Sequence, residues 1–193
     1  MASDDVPRYA RGAQRRLALI EAAANLLLEQ GLAALSHRAV AARAGLPLAS
    51  TTYYFDSADD LCDQALQHLA QGWATRAGAV VDALPATIDR AQASQAIVRI
   101  MGGDASSEQM LLVHERYLDA GRHHRLRPVV ATWNNRLKGL VHTVLVRTSL
   151  PADDDTAALV LAVADGAAVT ALAEGVPPRD AVAAALHRIL SLL

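Results

Sequence analysis

The stretch from Ser36 to Phe55, SHRAVAARAGLPLASTTYYF, decides how this chain is read. Ser36 is a favourable helix N-cap, because its hydroxyl can accept from a free amide of the first turn. The helix it opens ends near Ala44-Gly45, where glycine can adopt a left-handed cap. Pro47 suits the first turn of the next helix, which needs no N–H at that position. Two short helices joined by a glycine turn predict a helix-turn-helix. The two helices must pack closely, and Ala41, Ala44 and Gly45 supply small residues for the contact. The later helix must bury one side and present the other to a major groove. Phe55 can face the core, while Ser50, Thr52 and Tyr54 carry hydroxyls elsewhere on that helix.

The charge pattern around this stretch fits a polyanionic partner. No aspartate or glutamate lies between Glu29 and Asp56, and the segment carries His37, Arg38 and Arg43. The whole chain has a formal charge of -2, so affinity for nucleic acid must come from a local surface. Residues 1–10 read as a disordered arm. Arg8, Arg11, Arg15 and Arg16, against Asp4 and Asp5, could reach phosphates or a minor groove from there.

Outward from the motif, the chain reads as all-helical. Alanine and leucine, both good helix formers, abound, and alternating runs of strand formers are nearly absent. A first helix is expected from about Gly12 to Gln30, with Ile20, Ala23, Ala24, Leu27 and Leu28 at helical spacing. Ser57-Ala58-Asp59-Asp60 resembles a capping box and opens a helix to about Leu84. Further helices are expected over 87–101, 107–122, 128–149, 153–174 and 178–192, separated by glycine and proline breaks. The single cysteine, Cys62, excludes an internal disulfide and fits a reducing, cytoplasmic setting. No leader pattern is visible at the start. The apolar run 157–173 is interrupted by Asp165, Gly166 and Thr170 and reads as a buried interface helix, short of a membrane span.

Leu19-Ile20-Glu21-Ala22-Ala23, Leu26-Leu27, Gly31-Leu32, Arg38-Ala39-Val40-Ala41, Ala44-Gly45-Leu46 and Thr52-Tyr53-Tyr54-Phe55 together resemble the N-terminal domain of TetR-family transcriptional regulators. The resemblance covers about residues 12–62. It implies an all-α fold: a three-helix helix-turn-helix DNA-binding domain, taken here as 10–57, followed by a helical ligand-binding and dimerisation bundle over 58–193. It also implies operator duplex DNA as partner, a homodimer, and no enzymatic activity. The chain departs from the family pattern in its recognition helix. Pro47 stands for a usual serine, Ala49 for glycine, Thr51-Thr52 for leucine-tyrosine, and Tyr54 for histidine. Ala58 occupies the place of a phosphate-gripping lysine.

By position, Ser36 and Arg38 are expected on phosphate, and Leu48, Ser50, Thr52, Tyr53 and Tyr54 in the groove. Leu48 suits a thymine methyl, and the hydroxyls are permissive readers. The alternative for each tyrosine is packing against the first helix; for Arg38 it is a solvated surface charge. In the second half, helices 153–174 and 178–192 are apolar on more than one side, as a dimer interface or an internal core requires. Trp73, Met110, His114, Tyr117 and Trp133 are the candidate ligand-binding residues. Met110, His114 and Tyr117 share one helical side at i, i+4 and i+7. Such a lining suits a small apolar or aromatic effector; ordinary core packing is the alternative.

No metal site is expected, because the histidines lack ligand spacing. No cofactor is expected either, since phosphate loops and nucleophile elbows are missing from the sequence. Cys62 near a helix start could be redox-active or simply structural. The expectation is a repressor released by a small molecule. A helical protein-binding adaptor and a ligand-independent DNA-binding regulator are the alternatives.

Overall fold

A computed structural model describes residues 8–102 and 105–193, apart from the side chains of Arg8, Tyr9, Arg116 and Arg125. The described chain is helical: α1 (Arg8–Gln30), α2 (His37–Ala44), α3 (Leu48–Tyr54), α4 (Ala58–Asp82), α5 (Arg90–Ile100), α6 (Ser107–Arg122), α7 (Arg127–Arg147), α8 (Asp154–Glu174) and α9 (Pro178–Leu192). It divides into two compact units, 1–71 and 72–193, with the division falling inside α4.

The first unit is built on a core from α1 through the start of α4. Leu19, Ile20, Ala23, Leu26 and Leu27 meet Val40, Phe55, Leu61 and Ala65. Gly31, at φ 79°, breaks the chain after α1, and a single 3-10 turn, Leu32–Ala34, leads on to Ser36. Ser36 caps α2, its hydroxyl accepting from the Ala39 amide at 3.2 Å. Gly45 ends α2 at φ 64°. Its amide donates to the Ala42 carbonyl, and the Leu46 amide donates to that of Ala41. Two otherwise free carbonyls are thus satisfied, a left-handed helix stop that glycine adopts without a Cβ penalty. A Cβ on Gly45 would meet nothing within 4 Å. Its contribution is therefore the positive φ rather than the close helix contact expected of it; Ala41 is buried at that contact.

The arm expected over 1–10 falls outside the described residues up to Pro7. Helix α1 begins at Arg8, so Arg8 to Ala10 are helical rather than part of an arm. Gly12 was taken as the helix start, but one interior glycine costs a helix only about 1 kcal/mol, and α1 continues through it. At the head of α4, Ser57 accepts from the Asp60 amide at 3.0 Å, while the Asp60 carboxylate takes the Asp56 amide. The cap forms with its return bond displaced by one residue.

The second unit holds the larger core. Ile97 of α5, Leu140, Val141, Val144 and Leu145 of α7, Val160 of α8, and Leu186 and Leu190 of α9 are buried together. Capping boxes start α5 (Asp89 with Gln92) and α6 (Ser106 with Gln109). The Asp153 side chain caps α8 by accepting from the Thr156 amide at 2.7 Å, and these bonds hold its carboxyl below the usual range. The Arg147 guanidinium donates to the Val81 and Leu84 carbonyls at 2.7 and 2.9 Å, closing the end of α4. The Arg147 carbonyl accepts from the Ile88 amide at 3.0 Å. This clip draws residues 83–89 into a loop, so α4 stops at Asp82 and α5 begins at Arg90, each inside the expected bounds.

Helix α8 has two apolar sides. Ala157, Val160, Leu161, Ala164, Ala168 and Ala171 face the core. Leu159 and Val169 lie on the exposed side, each 48 % exposed, together with Ala162, Gly166 and Ala173. A Cβ on Gly166 would meet nothing within this chain. The small residues of α8 therefore divide between an internal core and an uncovered surface. By length and mean hydropathy (21 residues, 1.8), α8 does reach what a membrane span requires, above the sequence expectation.

Candidate functional site

Helix α3 turns on Thr51, which is fully buried; its hydroxyl donates to the Leu48 carbonyl at 2.7 Å. Phe55 follows, buried in the same core, and its amide closes on the Thr51 carbonyl. With these two fixed inward, Leu48, Ala49, Thr52 and Tyr53 are exposed and Ser50 is half-buried. Tyr53 is 81 % exposed, with no packing on α1. Tyr54 takes the other course. It packs against the core, and its hydroxyl lies 3.6 Å from where a Cβ on Gly12 would be. The two rings meet edge to face, with centroids 4.9 Å apart. The Thr52 hydroxyl donates to its own helix, at the Ala49 carbonyl, 3.2 Å away.

Ser36 and Arg38 are exposed at the start of α2. The three arginines flanking the motif divide. Arg11 and Arg15 stay exposed on α1, lining a shallow groove with Gln14, Ala18, Ala44 and Leu46. Arg16 is half-buried, its guanidinium 5.5 Å from the Phe55 ring centroid, held in a cation–π contact. Within the motif, Arg43 forms a two-pronged ion pair with Glu29, the Nη1–Oε2 arm at 2.6 Å. That hydrogen bond holds the Glu29 carboxyl below its usual range and raises the Arg43 guanidinium further. The acid-free stretch is therefore neutralised at one cation by the glutamate that borders it. Position in sequence did not reveal this pair, which closes over fourteen residues.

In the second unit, Trp73 of α4 and Trp133 of α7 come together, their ring centroids 5.6 Å apart and both half-buried. Tyr117 of α6 is exposed, and its hydroxyl accepts from the Asn134 side chain at 2.9 Å, one residue from Trp133. Met110 belongs to the core. His114 is half-buried; its Nδ1–H donates to the Met110 carbonyl at 2.8 Å. Two groups beyond the expected set stand here: Asn134, and Asp165 on α8. Burial pushes the Asp165 carboxyl above its usual range, and charge on His114 pulls it part of the way back. The sequence signal for Asp165 was its isolation in an apolar run.

Among the described residues, no three histidine, cysteine or acidic side chains gather as a metal cluster. Cys62 is buried in the first core.

Residues 19–65 match the model of the bacterial regulatory proteins of the tetR family, and residues 75–192 match that of the tetracyclin repressor-like C-terminal domain. A search of curated proteins gave no match. Among solved structures, the multidrug binding protein EbrR complexed with malachite green is similar at 35% identity and TM-score 0.66, covering 91% of this chain and 97% of that one. EbrR has also been solved with proflavin and with ethidium. SCO1917 from Streptomyces coelicolor A3, described as a TetR-family member, gives the same identity, TM-score and coverage. SCO7518, a transcriptional regulator from Streptomyces coelicolor A3(2), is 26% identical with TM-score 0.71, over 91% of this chain and 98% of that one.

Proposed function

The chain belongs to the TetR family of DNA-binding transcriptional regulators, and from that premise we propose that it is a homodimeric, cytoplasmic repressor released from its operator by an aromatic small molecule. The observation that carries the DNA half is α3, which buries Thr51 and leaves Leu48, Thr52 and Tyr53 free on one acid-free surface. In this reading α3 lies in the major groove, with Ser36 and Arg38 on phosphate. Ser50 and Tyr54 border the reading surface. We assign residues 10–57 to DNA, and 58–193 to effector and dimer.

The exposed apolar side of α8 supports the dimer, because a second copy would remove Leu159 and Val169 from water. Two recognition helices fit one operator only when spaced by about 34–36 Å or a multiple of it. The Trp73–Trp133 pair supports an aromatic effector, with His114 and Tyr117 nearby on α6. EbrR binds ethidium, proflavin and malachite green, which are aromatic cations; the same ligand class is proposed here. Binding in the second unit would favour an arrangement of α3 helices that no longer matches the operator, through a coupling typically of about 1–3 kcal/mol.

The test is fluorescence anisotropy on duplex DNA from upstream of the chain's own gene, against scrambled duplex, with and without malachite green. Selective binding weakened several-fold by the dye supports the reading. Binding without sequence selectivity, or selective binding indifferent to every aromatic cation tried, defeats the corresponding half.

A further inference from the structure

Helix α8 places one carboxylate where its neighbours are aliphatic. Leu161 and Ala168, four residues before and three after Asp165, are buried, and Leu172 at the next turn packs on the same core. Asp165 thus lies on the core-facing stripe of α8. It is half-buried and makes no hydrogen bond or ion pair. A carboxylate in this setting loses hydration without a partner to replace it, which is costly unless something else supplies positive charge. Helix α6 packs against α8, bringing His114 towards the carboxylate. The imidazole has its Nδ1–H committed to the Met110 carbonyl, so it is held in one orientation beside Asp165.

The geometry points to Asp165 as the counter-charge for a cationic effector, on the wall opposite the aromatic side chains that α6 and α7 contribute. The inference rests on the effector reading above and sharpens it, from aromatic to aromatic and positively charged. A delocalised cation is weakly hydrated, so it enters a half-buried site more readily than an ammonium does. Its flat rings match the aromatic faces while its charge meets the carboxylate. The unpaired acid in the empty protein becomes the group satisfied when the ligand arrives.

The experiment titrates the purified full-length protein, without DNA, with proflavin and with acridine. The two share a three-ring frame, but acridine is uncharged at neutral pH. Wild type should prefer proflavin. Asp165→Asn should lose about tenfold or more in proflavin affinity, as expected for removing a charge-assisted contact, and should bind acridine as before. Asp165→Glu, which restores the charge, should recover most of the loss. Thermal melts of each variant establish that it is folded. Equal proflavin binding by wild type and Asp165→Asn overturns the inference and leaves the effector reading standing. Parallel losses for proflavin and acridine also overturn it, since they mark a packing role. If wild type binds neither dye, the effector reading falls and the inference falls with it.

Discussion

Helices α3 and α8 each leave one side uncovered, and the two surfaces have opposite chemistry. That of α3 carries hydroxyls, an exposed tyrosine and no acid; that of α8 carries leucine, valine, alanine and glycine. An uncovered surface is shaped by what it meets. Hydroxyls can meet base edges and phosphates without stranding a polar group. Aliphatic side chains gain only when another apolar surface replaces water. The first surface fits nucleic acid, and the second fits its own copy.

The largest effect should come from the α8 side of this contrast. Leu159→Glu combined with Val169→Glu should give a monomer by analytical ultracentrifugation, with operator affinity reduced on the order of 100-fold or more because bivalency is lost. A double variant that remains dimeric would place the interface elsewhere. Next is the clip inside the second unit. Arg147→Ala removes both bonds that close α4, and should lower unfolding stability by about 1.5–3 kcal/mol in urea, the typical worth of a hydrogen bond to a charged group. An unchanged midpoint would mean that water serves those carbonyls equally well.

On the α3 side, Tyr53→Ala should lower affinity for the operator about tenfold while barely changing affinity for scrambled duplex. Arg38→Ala should weaken both alike and reduce the salt slope by about one. The reverse pattern would exchange the roles of the two residues.

Asp165 gives a pH-dependent effect. Its pKa is raised above the unfolded value, so the associated stability is fully present below the ordinary carboxylate range and is lost as pH rises through the folded pKa. Asp165→Asn should therefore melt higher than wild type at neutral pH and converge with it in acid. A lower melting temperature at neutral pH would mark the carboxylate as structural. The smallest effect belongs to Arg43→Ala. Glu29 already neutralises this cation, so the salt slope of DNA binding should stay the same. A slope lowered by about one would mean that Arg43 leaves Glu29 to hold a phosphate.

The first unit was largely legible in the sequence because its signals are local. Ser36, Gly31 and Gly45 mark helix ends within a residue or two of where they fall, and Phe55 closes the motif at fixed spacing. Local signals could not distinguish Tyr53 from Tyr54. Both are adjacent aromatics, and only the approach of Gly12 on α1 draws Tyr54 inward. The Arg43–Glu29 pair and the Arg16–Phe55 contact were hidden for the same reason. In the second unit the helices themselves were readable, but the pairing of Trp73 with Trp133 depends on how α4 and α7 pack. Asp165 was visible as an interruption; its place on the inward stripe follows from the register of α8 against the core.

Thr51 bonds to its own helix and touches only the core. The residues that hold α3 in place are therefore not those that face outward. Over many generations this separation leaves Leu48, Thr52 and Tyr53 open to replacement without endangering the fold. A lineage could acquire new target genes one substitution at a time, each intermediate remaining a working, soluble protein on which selection can act.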